Sequence, residues 1–582
     1  MTYPLTDKLV MQLQVIYQGI TLKTPLEQIA SRLIAKMELA ENAHGPKPFQ
    51  NRWNESDIVM ITYGDSIVKD GEKPLVTLKH FIDTHLSDEL SAVHILPFFP
   101  YSSDDGFSVL DYSSVNESLG DWCDISAISK EYKLMADLVI NHCSARSIWF
   151  ENFIKGEGTG HDYFYTALPN DPLDKVVRPR TSPLLKPVTS QNGEQFVWCT
   201  FSHDQVDLDF SNPEVLITFV GIIKQYLDAG VRIFRLDAIA FLWKEIGTSC
   251  INLPQTHEVV RLLRTLIECA NENAIIITET NIPNTQNLAY FGNANEAHAI
   301  YNFSLPPLLI YSLISGDCQA LKNWLMRMPP AQNGTCYFNF IASHDGIGLR
   351  PAEGLLSDEN IAKMVKTMQQ FGGLISWRTS EGGSQKPYEM NIALFDALKG
   401  TVNGPDKYQF QRFLCAHSIM MSLEGIPGIY IHSLLATEND YEKYDNTHHN
   451  RAINRHRWQS ELLTVQLNNI YSHHSKVLGA LKRLLQIRKA QPAFHPNATQ
   501  FVLQLGPELF GVWRQCINRS QSIFSVANIT NTPTSLRLNE LNLIETENWY
   551  DLLTGQHITD INSELALLPY QTIWLTNKNK GI

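Results

Sequence analysis

The sequence has no uninterrupted apolar run near the ~18 residues that a membrane-spanning helix needs, which argues against a helical membrane anchor. Its first residues, Met1-Thr2-Tyr3-Pro4-Leu5, lack a basic start, an apolar segment and a small-residue cleavage site, so no secretory leader is expected. Nine cysteines are scattered without CxxC spacing. An odd, unpatterned set reads as reduced thiols in a cytoplasm. A basic stripe is missing too. Against 60 Asp and Glu there are 47 Lys and Arg, a net charge of −13, which argues against a nucleic-acid partner. In that field an anionic ligand must be drawn in by local arginines. No internal repeat, low-complexity tract or carboxylate cluster suited to a hard cation is present, so no metal is expected.

What is present is alternation. At 582 residues the chain exceeds the ~250–300 at which single cores stop growing, so several domains are expected. Residues 1–56 carry Leu26, Ile29, Leu33, Ile34 and Met37 at helical spacing. They read as a helical extension that caps the next domain or makes a dimer contact, and both monomer and homodimer stay open. Short apolar segments then recur at 57–63, 92–96, 134–140, 230–238, 274–278 and 338–343, with helical patterns between them. Such strands form a parallel sheet covered on both faces, here an α/β chain built on a (β/α)8 TIM barrel. The barrel is expected over 57–140, 212–345 and 402–490. Two insertions interrupt it, at 141–211 and 346–401. The second holds Gly372-Gly373 and Gly382-Gly383 and reads as a lid. Alternating strands over 491–582 predict a C-terminal all-β domain.

Three of the strands lead to acids. Segment 230–238 delivers Arg235 and then Asp237, 274–278 is followed by Glu279, and 338–343 by His344 and Asp345. Acids at the carboxyl ends of barrel strands converge on one mouth. Cleaving a glycosidic bond with retention needs a nucleophilic carboxylate and an acid/base carboxyl about 5–5.5 Å apart. Residues i and i+2 share a strand face, so Arg235 stands beside Asp237 and favours its ionised form. Glu279 leaves an apolar strand, where burial raises a carboxyl into the range of a proton donor. Asp345 with His344 suits sugar hydroxyls and the positive charge that develops at an anomeric carbon. One such acid alone reads equally well as a helix cap or a surface group. Three together, with an arginine two residues before the first, do not.

These residues match a family. The chain resembles the α-amylase clan of glycoside hydrolases (family 13) in four motifs: Asp137-Leu138-Val139-Ile140-Asn141-His142, the stretch from Val231 to Asp237, Ile277-Thr278-Glu279 and Ala342-Ser343-His344-Asp345. Within the clan it is similar to the sucrose-phosphorylase subfamily. His94-Ile95-Leu96-Pro97, Arg178-Pro179-Arg180, Gln205-Val206-Asp207, His344-Asp345-Gly346-Ile347-Gly348 and Asn450-Arg451-Ala452 carry that similarity. The resemblance implies double displacement on an α-glucoside, with inorganic phosphate as second substrate and α-glucose 1-phosphate as product. It assigns Asp237 as nucleophile, Glu279 as acid/base and Asp345 as the third acid. Asp104, Phe107, His142, Gln205, Arg235, His344 and Arg451 match the glucose-holding positions, with Phe107 as an apolar platform. The resemblance implies no cofactor, and the structural calcium of many clan hydrolases is not a feature of this subfamily.

The acceptor-side positions depart from sucrose phosphorylase. Phe241 stands where that enzyme has tyrosine, Tyr388 matches, Glu389 replaces a glutamine, and Arg350 adds a permanent cation. With the stretch from Phe303 to Leu308, these make the chain most similar to the glucosylglycerate phosphorylases of the subfamily. D-Glycerate is then the implied acceptor, its carboxylate received by Arg180 or Arg350. Sucrose 6′-phosphate, glucosylglycerol and sucrose remain open as alternative glucosides, and hydrolysis or transglucosylation as alternative reactions. A non-catalytic amylase-like subunit would have lost one of the three acids, and this chain keeps them all.

Overall fold

The computed structural model describes residues 4–180, 182–379 and 385–577; the Gly382-Gly383 pair lies outside the described residues. Eight parallel strands close into a barrel in chain order. They are β1 (Val59–Thr62), β2 (Ala92–Ile95), β3 (Lys133–Val139), β4 (Val231–Asp237), β5 (Ile275–Thr278), β6 (Ala299–Tyr301), β7 (Cys336–Asn339) and β8 (Ile426–Tyr430). Pairing of β8 with β1, Val59 opposite Gly428, completes the circle. The (β/α)8 fold expected from the sequence is the fold of the protein.

Two strands escape the sequence pattern for physical reasons. Strand β6 is only three residues long. Strand β8 contains Pro427 and Gly428, residues that strand propensity penalises. Gly428 is required there, because a Cβ would meet the Phe338 ring at 2.4 Å. A third difference concerns Asp345. The apolar run at 338–343 leaves the sheet after Asn339, and Phe340 and Ile341 are buried by packing rather than by the ladder. Phe340 meets the rings of Tyr301 and Phe303, each at 5.3 Å. Asp345 therefore reaches the mouth on a loop.

The connection after β3 carries an antiparallel pair, His142–Ser144 with Gln205–Asp207, and a hairpin, Leu185–Ser190 with Gly193–Trp198. The connection after β7 carries a helix, Asp358–Gln370, and a hairpin of Leu374–Thr379 with Gln385–Asn391. Both connections supply walls to the barrel mouth. The amino-terminal helices α1 (Leu5–Ile16) and α2 (Leu26–Lys36) lie on the outside of the barrel. Helix α2 packs on α3 (Pro213–Asp228) and α1 on α4 (Pro254–Ala270). Leu5, Leu9, Leu13, Ile29 and Leu33 are buried and join the barrel core, each worth about 1.5–3 kcal/mol. Arg32 clamps Glu214 with both guanidinium nitrogens. Among the described residues no helix is long and apolar enough to cross a membrane.

At the carboxyl end a six-stranded antiparallel sheet encloses its own core around Phe524, Trp549 and Leu575. Two fully buried arginines tie into the barrel floor, Arg514 from this sheet and Arg488 from the helix His473–Lys489. Arg514 donates to the carbonyls of Ser422 and His495, and Arg488 to those of Met421 and Glu55. Near Arg514 lies Glu424, which accepts from the Ala331 N–H at 2.8 Å and has no cation in hydrogen-bond range among the described residues. Burial pushes its carboxyl up to about 7, with Arg514 pulling weakly the other way. The folded state thus holds this proton more tightly than an unfolded chain, whose Glu titrates near 4.3. Stability is complete below that value and falls by up to about 3 kcal/mol as pH rises through 7. Glu424→Gln should accordingly melt above the parent at pH 8.5 and no higher than it at pH 5, as read by thermal unfolding at both pH values.

Candidate active site

Strand β4 turns the side chains of Arg235 and Asp237 to one face, into the barrel mouth. The Arg235 guanidinium donates from one nitrogen to both Asp237, at 2.7 Å, and Asp137 of β3. Asp137 is held on its other oxygen by His94 of β2 at 2.7 Å. Three neighbouring strands thus feed one buried chain, His94–Asp137–Arg235–Asp237. Burial pushes Asp137 upward, yet Arg235 and His94 together keep it below the ordinary aspartate range. It stays an anion, and Arg235 stays a cation between two anions.

Glu279 follows β5 and receives the Ala238 N–H at 3.1 Å. Ala238 makes that bond from a left-handed conformation, φ +52°, immediately after the nucleophile candidate. A non-glycine residue there is strained by about 1–2 kcal/mol, a cost that the surrounding packing offsets. Burial raises the carboxyls of both Asp237 and Glu279. Arg235 opposes the rise at each, and the neighbouring acids add to it. Only Asp237 touches the guanidinium, at 2.7 Å against 4.0 Å for Glu279. The first ionisation of the pair therefore leaves the anion on Asp237 and the proton on Glu279. Asp345 behaves differently. Burial works against its ionisation, but Arg451 at 2.5 Å and His344 at 3.5 Å draw it below the usual carboxylate range.

The glucose-side residues converge beside these acids. Phe107 lies flat on His344, ring centroids 5.0 Å apart and planes within 5°. The Arg235 guanidinium sits over the other π-system contact, 5.8 Å from the Phe107 centroid. Gln205 donates to Asp104 at 3.2 Å, and Asp104 occupies a tight turn at φ +55°. His142 bonds through Nε2 to the Phe107 carbonyl at 3.0 Å while Asn141 approaches its Nδ1 at 3.3 Å. With Nε2 as the donor and burial lowering its pKa, the ring is neutral.

Behind this wall Lys244, itself buried, bridges Asn141 at 2.8 Å and Asp207 at 3.0 Å. It ties the loop after β4 to the first insertion.

On the acceptor side the charges are open. Among the described residues Arg180 donates only to the Pro179 carbonyl; it lies over the Phe201 ring at 5.7 Å, and Phe201 in turn meets Phe241 edge-on at 5.5 Å. Arg350 makes no hydrogen bond and no ion pair among the described residues, and burial and the nearby Arg378 lower its pKa. Tyr388 is buried at the same wall. Of the fifteen residues singled out from the sequence, fourteen line this one pocket. Glu389 does not. Its carboxylate accepts from Gly346 N–H at 2.7 Å and forks onto Arg451 at 3.1 and 3.2 Å. A side chain at position 346 would collide with it, a Cβ lying 2.5 Å from the Glu389 Cγ. Glu389 sits where it steadies Arg451 and the loop of Asp345, outside the inner pocket.

The sequence alone does not single out Asp137, His94, Phe201, Asn281 or Lys244 as site residues. His94 and Asp137 stand inside quoted motifs, and Asn281 follows Glu279 by two residues, so proximity was the available signal. Phe201 and Lys244 carried none beyond their neighbours.

A family model described as the alpha-amylase catalytic domain matches residues 89–369. The chain is 40% identical over 551 residues to the glucosylglycerate phosphorylase of Spirochaeta thermophila, covering 93% of each. To the glucosylglycerate phosphorylase of Escherichia coli it is 37% identical over 573 residues, 98% of this chain and 100% of the other. The crystal structure of sucrose 6F-phosphate phosphorylase from Thermoanaerobacter thermosaccharolyticum matches with a TM-score of 0.71 at 25% identity, over 88% of this chain and 98% of that one. With its barrel, its three acids and relatives aligned over nearly their full length, the chain belongs to the alpha-amylase family, among the glycoside phosphorylases of that family.

Proposed function

We propose that the enzyme catalyses reversible phosphorolysis of 2-O-α-D-glucosyl-D-glycerate, giving α-D-glucose 1-phosphate and D-glycerate. The observation that carries the acceptor is Arg350, a half-buried guanidinium without an anionic partner among the described residues, with Arg180 across the same pocket. A buried cation is costly until paired, and a planar fork selects carboxylate or phosphate. The related enzymes named for glucosylglycerate support the same choice.

The mechanism follows from where the proton sits. An Asp237 oxygen attacks the anomeric carbon while the bond to the glycerate oxygen breaks, and Glu279 gives its proton to that oxygen. A β-glucosyl ester on Asp237 results. Phosphate then enters the space glycerate has left, against Arg180 and Arg350. Glu279, now a carboxylate, takes the phosphate proton as the new C–O bond forms and the ester bond to Asp237 breaks. Asp345, fixed by Arg451, faces the positive charge that develops at the ring. Two inversions give net retention. The reading includes a cytoplasmic setting, which the nine free cysteines support.

Two outcomes test it. Release of glycerate should follow a bell-shaped pH profile, its acid limb set by the first ionisation of the Asp237–Glu279 pair and its alkaline limb by loss of the Glu279 proton. Glu279→Gln should cut kcat/KM roughly 10²–10⁴-fold and abolish the alkaline limb; a limb that persists in the variant removes Glu279 from the acid role.

In the synthetic direction, glucose 1-phosphate is offered with D-glycerate, glycerol, fructose and fructose 6-phosphate, and released phosphate is measured. D-Glycerate should be the best acceptor. Arg350→Ala should weaken it by at least tenfold, the loss of one charge-assisted hydrogen bond of about 1.5–3 kcal/mol, and leave glycerol within twofold. Equal losses for both acceptors, or preference for fructose 6-phosphate, overturn the assignment.

A further inference from the structure

A second chamber, of about 310 Å³, opens outward from the acceptor side of the active site. It shares Pro179, Arg180, Tyr388 and Arg451 with the inner pocket, while Arg350, assigned to the acid, lines the inner pocket alone. Its outer wall is made by Ser376, Trp377, His448, His449 and Asn450, with Glu389 beside Arg451. A glucosylated three-carbon acid is complete at Arg350 and leaves this chamber without a role.

The wall is built. Trp377 stands 47% exposed inside the concavity and stacks on no other ring among the described residues. The hairpin register shifts between Ser376 and Trp377, a bulge that re-aims the tryptophan relative to its strand neighbours. Across from it His448 sits in a left-handed conformation at the end of the helix Tyr441–Thr447, φ +54°. The Asn450 amide ties this segment to the tryptophan strand through Ser376 Oγ at 3.2 Å. The ring nitrogens of His448 and His449 have no partner among the described residues. An exposed indole face in a cleft, with two imidazoles unpaired among the described residues beside it, suits a ligand with an apolar face and a hydroxyl rim, and a pyranose has both.

We infer that the outer chamber is a second acceptor subsite, which seats a sugar ring on Trp377, so that the enzyme transfers glucose to and from acceptors that already carry a sugar. The inference rests on the phosphorylase reading of the inner pocket. In the step it adds, 2-O-α-glucosyl-D-glycerate itself is the acceptor, its carboxylate at Arg350 and its glucose on Trp377. Its free 3-hydroxyl attacks the anomeric carbon of the glucosyl-enzyme, the ester bond to Asp237 breaks, and the hydroxyl proton passes to Glu279. The product is a diglucosylglycerate.

The experiment supplies glucose 1-phosphate with either D-glycerate or 2-O-α-glucosyl-D-glycerate and reads the products by mass. The parent enzyme should make the monoglucosyl product from the first and a diglucosyl product from the second. Trp377→Ala should lower the diglucosyl rate at least tenfold and leave the D-glycerate rate within twofold, and Trp377→Phe should recover part of the loss. Transfer to D-glycerate without any diglucosyl product overturns the second subsite alone. So does a diglucosyl rate unchanged in Trp377→Ala, or an equal fall with both acceptors. No transfer to D-glycerate at all overturns the inner-pocket reading instead.

Discussion

The active site depends on one buried guanidinium. Arg235 is 2% exposed and lies between Asp137 and Asp237. A cation taken this far from water is tolerable only with anions in contact, and the same holds for each of its partners. Asp137 answers that need permanently, fixed by His94 from the strand beyond. On the proposed mechanism Asp237 answers it only when it is free, because esterification by a sugar removes its charge. The ion pair therefore favours the resting anion before reaction. Once the glucosyl-enzyme has formed, Asp137 still neutralises Arg235. The barrel provides this arrangement by register, since Asp137 lies opposite Arg235 and Val139 opposite Asp237 on adjacent parallel strands.

A second arginine divides the site into two electrostatic halves. Arg451 is bound by Asp345 and by the fork of Glu389, so on the glucose side every nearby cation is matched. Glucose is neutral, and a matched site holds it through hydroxyls without a net field. Across the mouth Arg180 and Arg350 face the pocket unmatched among the described residues, in a chain whose formal net charge is −13. Glu389 has a part in this contrast. A neutral amide at that position would leave Arg451 partly free to compete for the acceptor's anion; the carboxylate keeps it engaged with Asp345.

The strands that lead to the acids were legible because each is a short, mainly apolar run: Glu279 follows one directly, Asp237 ends one that carries Arg232 and Arg235, and Asp345 lies on the loop beyond a third. The barrel was legible for the same reason, apart from β6, too short to register, and β8, where Pro427 obscures the strand together with Gly428, a glycine that the approach of Phe338 makes obligatory. Side-chain partnerships were less so. The periodicity of a strand places Arg235 beside Asp237, but nothing local says that Asp137, 98 positions away, shares the guanidinium. Glu389 was visible as a departure from glutamine near the acceptor. Its actual partners, Arg451 and the Gly346 N–H, come together only when the hairpin of the second insertion folds back over the loop after β7.

The unmatched arginines also bear on why the glucosyl-enzyme is passed to phosphate rather than to water. On the proposed reading, glycerate departs between the two half-reactions, and two guanidiniums are left facing an open pocket. Water can solvate them but brings no charge, whereas phosphate brings negative charge and paired oxygens that match the planar guanidinium forks. The half-buried setting that makes Arg350 costly when alone is what gives an entering anion its advantage there. The leaving acid and the attacking phosphate are then two occupants of one electrostatic requirement, and on this reading the exchange between them excludes hydrolysis by charge as much as by shape.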